Sequence, residues 1–596
     1  MLSCNRLLAA ALCVFLVSAT GEPALAQIGP YTLQIEGVED DSLADAIRSV
    51  SQLEEEQTTL PATIRALRLR VDAGVERIEK LLRSRGYYAS KTTYELRRDD
   101  PATTVVAMQV DEGPPYYLGA YDIVSTTPGE PRNPIDMPYE ALGIDASRPV
   151  QADQIIAADS RLLVALSRQA YPLAKIADRK TVVDHESRTV RVAVTVDVGS
   201  YALFGDTTVD GLTGIEADVI TRVQSWQKGM PFDASKLEEA RNKLRETGLF
   251  SSVQIGHAPE VDAAGELAVT IAVAERKHRS IGAGGSFSTT EGISATAFWT
   301  HRNFFGGGEN LRVDAEVGEI RQGIFGNLRI PAFIVDNQDA VIEARLSQEN
   351  PDGFDSLETA AIGRLERRFG DDYVGSAGGG FEHSRVDENG AEEDFTFFVL
   401  PLSLRHDTSD DLLDPGSGRR DTLTVTPNIG ILDTDENFLS ARLLDTIYLP
   451  LADDKKLVLA GWLRLGTIVG EETPDIPANK RLYAGGPGSV RGYSLNSIGP
   501  LDSQNDPVGG RSLTEFGVEL RWRAFESVGF VGFVEAGGVY DDAVPEFGKD
   551  LQWGGGVGLR YLTAVGPIRL DVAMPLNRRN DVDDAFQILV SLGQAF

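Results

Sequence analysis

The side chains with most chemical potential in this 596-residue chain are arginines and carboxylates rather than nucleophiles. No HExxH, Walker A, GxSxG or cysteine-pair pattern occurs. The six histidines, at 185, 257, 278, 301, 383 and 406, lack ligand spacing. Residues 282–285 are rich in glycine but do not match a phosphate loop. The chain therefore reads as a non-enzyme, with no catalytic group, cofactor or metal expected. What remains is ion-pair and cation–π chemistry. Residues 482–493 (LYAGGPGSVRGY) set Arg491 among glycines that let the backbone turn tightly. Phe533 and Glu535 are two apart, so on a strand they share a face. Glu515, Glu519, Arg521 and Arg523 share one face of another stretch.

These residues lie in a region of alternating texture that begins near Ser280. Phe516, Val518, Leu520 and Trp522 oppose the charged set just named. Ile568, Leu570, Val572 and Met574 oppose Arg569 and Asp571. Leu423 and Val425 alternate with Thr422, Thr424 and Thr426. Charge at every second position cannot sit in the core of a soluble sandwich. It suits a strand with lipid on one side and a polar lumen on the other. A soluble antiparallel sheet with one wet face gives the same alternation. Length favours the barrel: at about 20 residues per strand and connection, the region supplies about 16 strands. A soluble sheet of that size is unusual.

The N-terminus reads as an export signal spanning 1–26. Arg6 is its positive end, residues 7–20 its apolar stretch, and Ala24-Leu25-Ala26 its cleavage site. Cys4 and Cys13, the two cysteines of the chain, fall inside it. A mature chain starting at Gln27 therefore forms no disulfide and depends on packing and β-ladders. No later apolar run approaches spanning length, so a membrane-inserted form must be a closed barrel. The net charge of −32 argues against general nucleic-acid binding.

Between these regions a unit recurs three times. Residues 31–37 (YTLQIEG) form a strand, and Leu43, Ala46, Ile47 and Val50 mark a helix face. Val71, Val75, Ile78 and Leu82 mark a second helix, stopped at Gly86-Tyr87-Tyr88. Alternating strands follow. The pattern restarts at Tyr116, with Ile155, Leu162 and Leu166 on its helix, and at Tyr201, with Leu237, Ala240 and Leu244. Tyr87, Tyr171 and Leu249 stand at equivalent points, roughly 80 residues apart. Each unit reads β-α-α-β-β. The expected domains are 27–114, 115–199, 200–277 and a barrel over 278–596.

Each unit resembles the POTRA domain, a periplasmic module of outer-membrane assembly factors and secretion transporters. Residues 482–493 resemble the VRGY/VRGF motif of the POTRA-plus-barrel superfamily that includes BamA, TamA and the two-partner secretion transporters. The stretch 532–540 (GFVEAGGVY) resembles the strand motif that follows in that family. Alternating Phe586, Ile588, Val590 and Leu592 before Phe596 resemble the β-signal of outer-membrane proteins. Residues 302–309 and 414–420 also look like family features, although each alone is only a turn signal. Three units with this barrel point to the TamA branch.

The resemblance implies a loop folded back into the lumen, with Val490, Arg491, Gly492 and Tyr493 at its tip. Phe533 and Glu535 would cradle Arg491, with Glu519 as a weaker second partner; many relatives have Asp in place of Glu535. It implies assembly or translocation of other proteins at the outer membrane, with outer-membrane lipid around the barrel. The implied partners are client outer-membrane proteins or autotransporters and a TamB-like inner-membrane-anchored periplasmic protein. The first barrel strand, 281–288, would meet the last, 585–596, at a lateral seam. Gly282, Gly284 and Gly285 would weaken one side, and Gly593 would allow a kink near Phe596 on the other. A two-partner-type secretion pore, a BamA-like general insertase, a lipid-transport partner and a passive porin or receptor are the alternatives.

Overall fold

A computed structural model describes residues 31–592, apart from 39, 59–60, 62, 101–102, 127–137, 139, 453, 547–549 and 564–566. The signal segment, Gly593 and Phe596 lie outside the described residues. The chain divides into two compact units, and their boundary runs through the third repeat.

In the first repeat, strand Tyr31–Glu36 leads to helices Asp41–Ser51 and Ile64–Ser84, then to strands Lys91–Asp100 and Thr103–Asp111. Asp40 starts the first helix by accepting the Ser42 and Leu43 N–H groups at 2.7 and 3.2 Å. Leu43, Ile47, Leu67, Val71, Ile78 and Leu82 bury one apolar stripe against the sheet. Gly86, at φ +92°, ends the second helix. The sheet order is first–third–second, with the first and third strands parallel.

The other two repeats have the same sheet order. The third has two helices, Asp218–Val223 and Ala234–Glu246. The second has one helix among the described residues, Ala152–Arg168, where two were expected; 127–137 of the intervening stretch are not described. The repeat extends to backbone detail. Gly37 and Gly211, both at positive φ, pass so close to the Val110 and Val273 carbonyls that no side chain fits.

From Arg279 onward the strands close into an antiparallel barrel. Seventeen paired segments form sixteen strands. Ala391–Val399 and Leu402–Asp407 are one strand, because both pair with the same neighbours in one register. Pro401, which has no N–H to donate, interrupts the ladder between them. Along Ser512–Trp522, Val518, Leu520 and Trp522 face outward and are exposed, whereas Glu515, Glu519 and Arg521 face inward and are buried. Strand Ile568–Pro575 repeats the inversion, with Leu570 and Val572 outside and Arg569 and Asp571 inside. This is the polarity of a barrel in lipid.

The turn 302–309 joins the barrel to the third repeat. Asn303 donates to the Gly214 carbonyl at 2.7 Å, and Arg222 donates to the Gly307 carbonyl at 2.8 Å. Nearby, Glu275 accepts the N–H groups of Thr213, Gly214 and Ile215 at 2.6, 2.9 and 3.0 Å, and the Thr213 hydroxyl at 2.9 Å. Burial pushes this carboxyl up, but the backbone donors pull it further down, to about 2. Odd-numbered barrel strands run away from this end. The segment after the eleventh strand, Leu457–Val469, therefore leaves at the opposite end.

Candidate functional site

Residues 470–511 connect Leu457–Val469 to Ser512–Trp522 and fold back against the barrel wall. Ile476, Leu482, Val490, Tyr493 and Ile498 of this loop join Phe354, Phe397 and Phe438 of the wall in one apolar cluster. The burial holds the loop in place, and its polar groups then need partners.

Arg491 is fully buried. Its backbone N–H and Nε each reach Glu535 at 2.9 Å. Its Nη2 donates to Glu519 at 2.6 Å and to Glu535 at 2.5 Å, and its Nη1 donates to Asp571 at 3.0 Å. The guanidinium lies 3.4 Å from the centre of the Phe533 ring. Charge-assisted bonds on the edge and a π-face beneath leave little of this cation unsatisfied.

Glycines on both the loop and the wall make the space. A Cβ on Gly492 would come within 2.6 Å of the Met574 carbonyl oxygen. A Cβ on Gly537 or Gly554 would press on Val490, at 3.0 and 3.1 Å. Tyr493 donates to the Trp553 carbonyl at 3.0 Å and to Asn577 at 2.8 Å. Ser489 bonds Glu515, which also pairs with Arg464 at 2.7 Å.

The structure thus brings together Val490, Arg491, Gly492, Tyr493, Phe533, Glu535 and Glu519. Glu519 is a direct partner rather than a weaker one. Sequence reasoning missed Asp571 as a ligand of Arg491, although its place opposite Leu570 and Val572 on an alternating strand was the available signal. It also missed a second anchor. Lys480 reaches Glu382 at 2.5 Å, and Arg481 grips Glu388 at 2.7 and 2.8 Å. The loop is therefore held to strand Tyr373–Glu388 as well as to strands Ser512–Trp522, Val528–Tyr540 and Ile568–Pro575.

The seam is the other feature of interest. Strand Arg279–Ser288 pairs along its whole length with Gly292–His301, and the Phe298 ring covers Gly282. On its other side, among the described residues, only Phe287↔Val590 and Ser288↔Leu589 pair with Gln587–Leu592. Thr289 adds an N–H bond to the Ile588 carbonyl at 3.0 Å. Other neighbouring strands pair far more extensively, through fifteen positions between Asp355–Phe369 and Tyr373–Glu388. Among the described residues, no group of three or more His, Cys, Asp or Glu is placed to hold a metal ion.

Closed barrel, inverted polarity and repeats of this topology define an outer-membrane β-barrel protein with periplasmic POTRA domains. Comparison with known proteins agrees. Residues 303–596 match the Omp85 superfamily domain, and residues 202–276 match the POTRA family described as surface antigen variable number repeat. The chain is 24% identical over 516 residues to outer membrane protein assembly factor BamA of Nitratidesulfovibrio vulgaris, covering 83% of this chain and 64% of that one. The chain thus spans just under two thirds of that relative. It is 20% identical over 582 residues to BamA of Neisseria meningitidis serogroup B, covering 88% and 72% of the two chains. The crystal structure of Haemophilus ducreyi BamA lacking POTRA domains 1–3 shares the fold. Its TM-score is 0.68 at 18% identity, over 80% of this chain and 100% of that one.

Proposed function

We propose that this protein assembles or translocates other β-rich proteins at the outer membrane, using the seam as a template edge. The observation that carries this reading is that, among the described residues, the first and last barrel strands pair at only two positions. A strand with few partners presents N–H and C=O groups that an incoming extended segment can satisfy. The clamped loop supports the reading by bracing the wall: its Arg491 ties together three strands, one of which, Ile568–Pro575, is the neighbour of the last. The repeats add client-facing edges, among them Lys175–Asp184, which is exposed along most of its length.

Within this function we place the protein in the TamA branch, with a TamB-like partner, on the strength of three repeats before one barrel. The domain limits are 27–114, 115–199, 200–277 and 278–596, after a signal over 1–26.

The test is a disulfide between Ser288→Cys and Leu589→Cys. These residues pair directly, and the adjacent hydrogen bond falls at Thr289–Ile588. They therefore occupy a non-hydrogen-bonded position, where side chains stand closer. The only native cysteines are Cys4 and Cys13, so no other thiol competes in the processed chain. Client assembly should stop on oxidation and return on reduction. Undiminished assembly by the locked barrel would rule out a working seam. Affinity capture of the locked and unlocked forms checks the branch: a long, β-rich, inner-membrane-anchored protein should co-purify with both.

A further inference from the structure

Below the Arg491 clamp, toward the periplasmic end of the lumen, lies a second layer of arginines. Arg521, Arg560 and Arg569 point inward and are buried. Arg521 donates to Glu519 at 2.9 Å, and Arg560 donates to Asp571 at 2.5 Å. Arg569 Nε stands 3.4 Å from Asp571. Among the described residues, the Nε atoms of Arg560 and Arg569 have no hydrogen-bond partner. With Arg491 there are four cations here, against the carboxylates of Glu519, Glu535 and Asp571. Among the described residues the cations of this group outnumber its carboxylates by one, and a buried charge in excess is costly unless an anion joins it.

A cavity of about 50 Å³ opens beside this layer, lined by Arg521 and Arg560. A water site needs about 10–15 Å³ by the same measure, so a group with several oxygens fits. Arg523, Lys455 and Lys456 complete the polar lining, with Asp414 as its acid. Arg523 bonds Asp414, Lys455 pairs with Asp410 at 2.8 Å, and Lys456 pairs with Asp454 at 2.9 Å. These rim pairs are neutral, so the excess charge belongs to the arginine layer. Trp522 and Phe530 also line the cavity, yet both face outward and are exposed. The cavity thus joins the lumen arginines to the lipid-facing surface at the periplasmic rim.

We propose that this cavity binds the phosphate of a phospholipid headgroup from the periplasmic leaflet. Guanidinium groups suit phosphate oxygens because their N–H donors are planar and forked. A singly charged phosphodiester matches the single excess charge, and its glycerol and acyl chains would run over Trp522 and Phe530. Free inorganic phosphate satisfies the arginines but leaves the aromatic wall without a role.

The experiment uses the full chain in a non-ionic detergent, stripped of lipid. Dihexanoyl phosphatidylglycerol is titrated at fixed ionic strength, with tryptophan fluorescence and native mass spectrometry as readouts. Sodium phosphate is titrated in parallel. The short-chain lipid should bind at one saturable site, at least tenfold more tightly than phosphate. Arg569→Gln should weaken binding at least tenfold while leaving thermal stability equal or higher, since it removes the excess charge. A purely structural Arg569 would instead lower stability. Lys456→Gln, on the exposed rim, should weaken binding by a smaller factor and serves if Arg569→Gln does not fold. Absence of saturable lipid binding, or unchanged affinity in both variants, overturns the site. Equal affinity for phosphate and lipid overturns the headgroup assignment.

Discussion

Replacing Arg491 with methionine tests the lumen clamp at its centre. The side chain makes four hydrogen bonds to three carboxylates and lies on Phe533. The loss is unequal among those carboxylates. Glu519 keeps Arg521, and Asp571 keeps Arg560. Glu535 has no other cation among the described residues and retains only the backbone N–H of position 491. Stripping the partner from a buried charge costs about 3–5 kcal/mol. Arg491→Met should therefore lower barrel stability by about that much, roughly a hundredfold or more in the unfolding equilibrium. Most of the loss should return when Glu535→Gln is added, because the stranded charge is then gone. The same rescue by Glu519→Gln should be weaker. The assay is urea unfolding of the purified barrel in detergent, followed by tryptophan fluorescence, for the single and double variants. A single-variant loss below about 1 kcal/mol would place Arg491 in the class of exposed pairs. Equal stability of Arg491→Met with and without Glu535→Gln would refute the assignment of the cost to Glu535.

Two further outcomes follow from particular contacts. Gly492→Ala should displace the loop tip without altering charge, since its Cβ would meet backbone atoms of Met574 at 2.6 and 2.7 Å. The cost should be about 1–3 kcal/mol, seen as faster tryptic cleavage within 470–511, whereas Gly488→Ala, with open space around its Cβ, should change nothing. Glu275 is held at about 2, below its ordinary 4.5, so its contribution is complete above the ordinary value and is lost as pH falls toward 2. Hydrogen exchange at Thr213, Gly214 and Ile215 should accelerate, relative to the intrinsic rate, between about pH 4.5 and 2; the Glu275→Gln variant should show weaker protection and no such transition.

Much of this architecture was legible in the chain because its signals are local. Alternation has a period of two, so Ile568 to Met574 announce a two-faced strand without any neighbour. Helical stripes such as Leu43, Ile47 and Val71, Ile78 are equally self-contained. The loop motif and the pair Phe533 and Glu535 lie within short windows that a resemblance can match. Tertiary structure decided what depends on distant segments meeting in register. Asp571 stands 80 residues from Arg491 and reaches it only because the barrel closes. Lys480 and Glu382, 98 residues apart, meet only because the loop also reaches another part of the wall. The same holds for the seam: its composition was visible in Gly282, Gly284 and Gly285, but the register that sets Phe287 against Val590 and Ser288 against Leu589 was not. A strand's own residues specify which face is wet, while the partner's position along the ladder is set by every other strand around the ring. Only the closed barrel fixes that position, and with it which buried arginines meet which carboxylates.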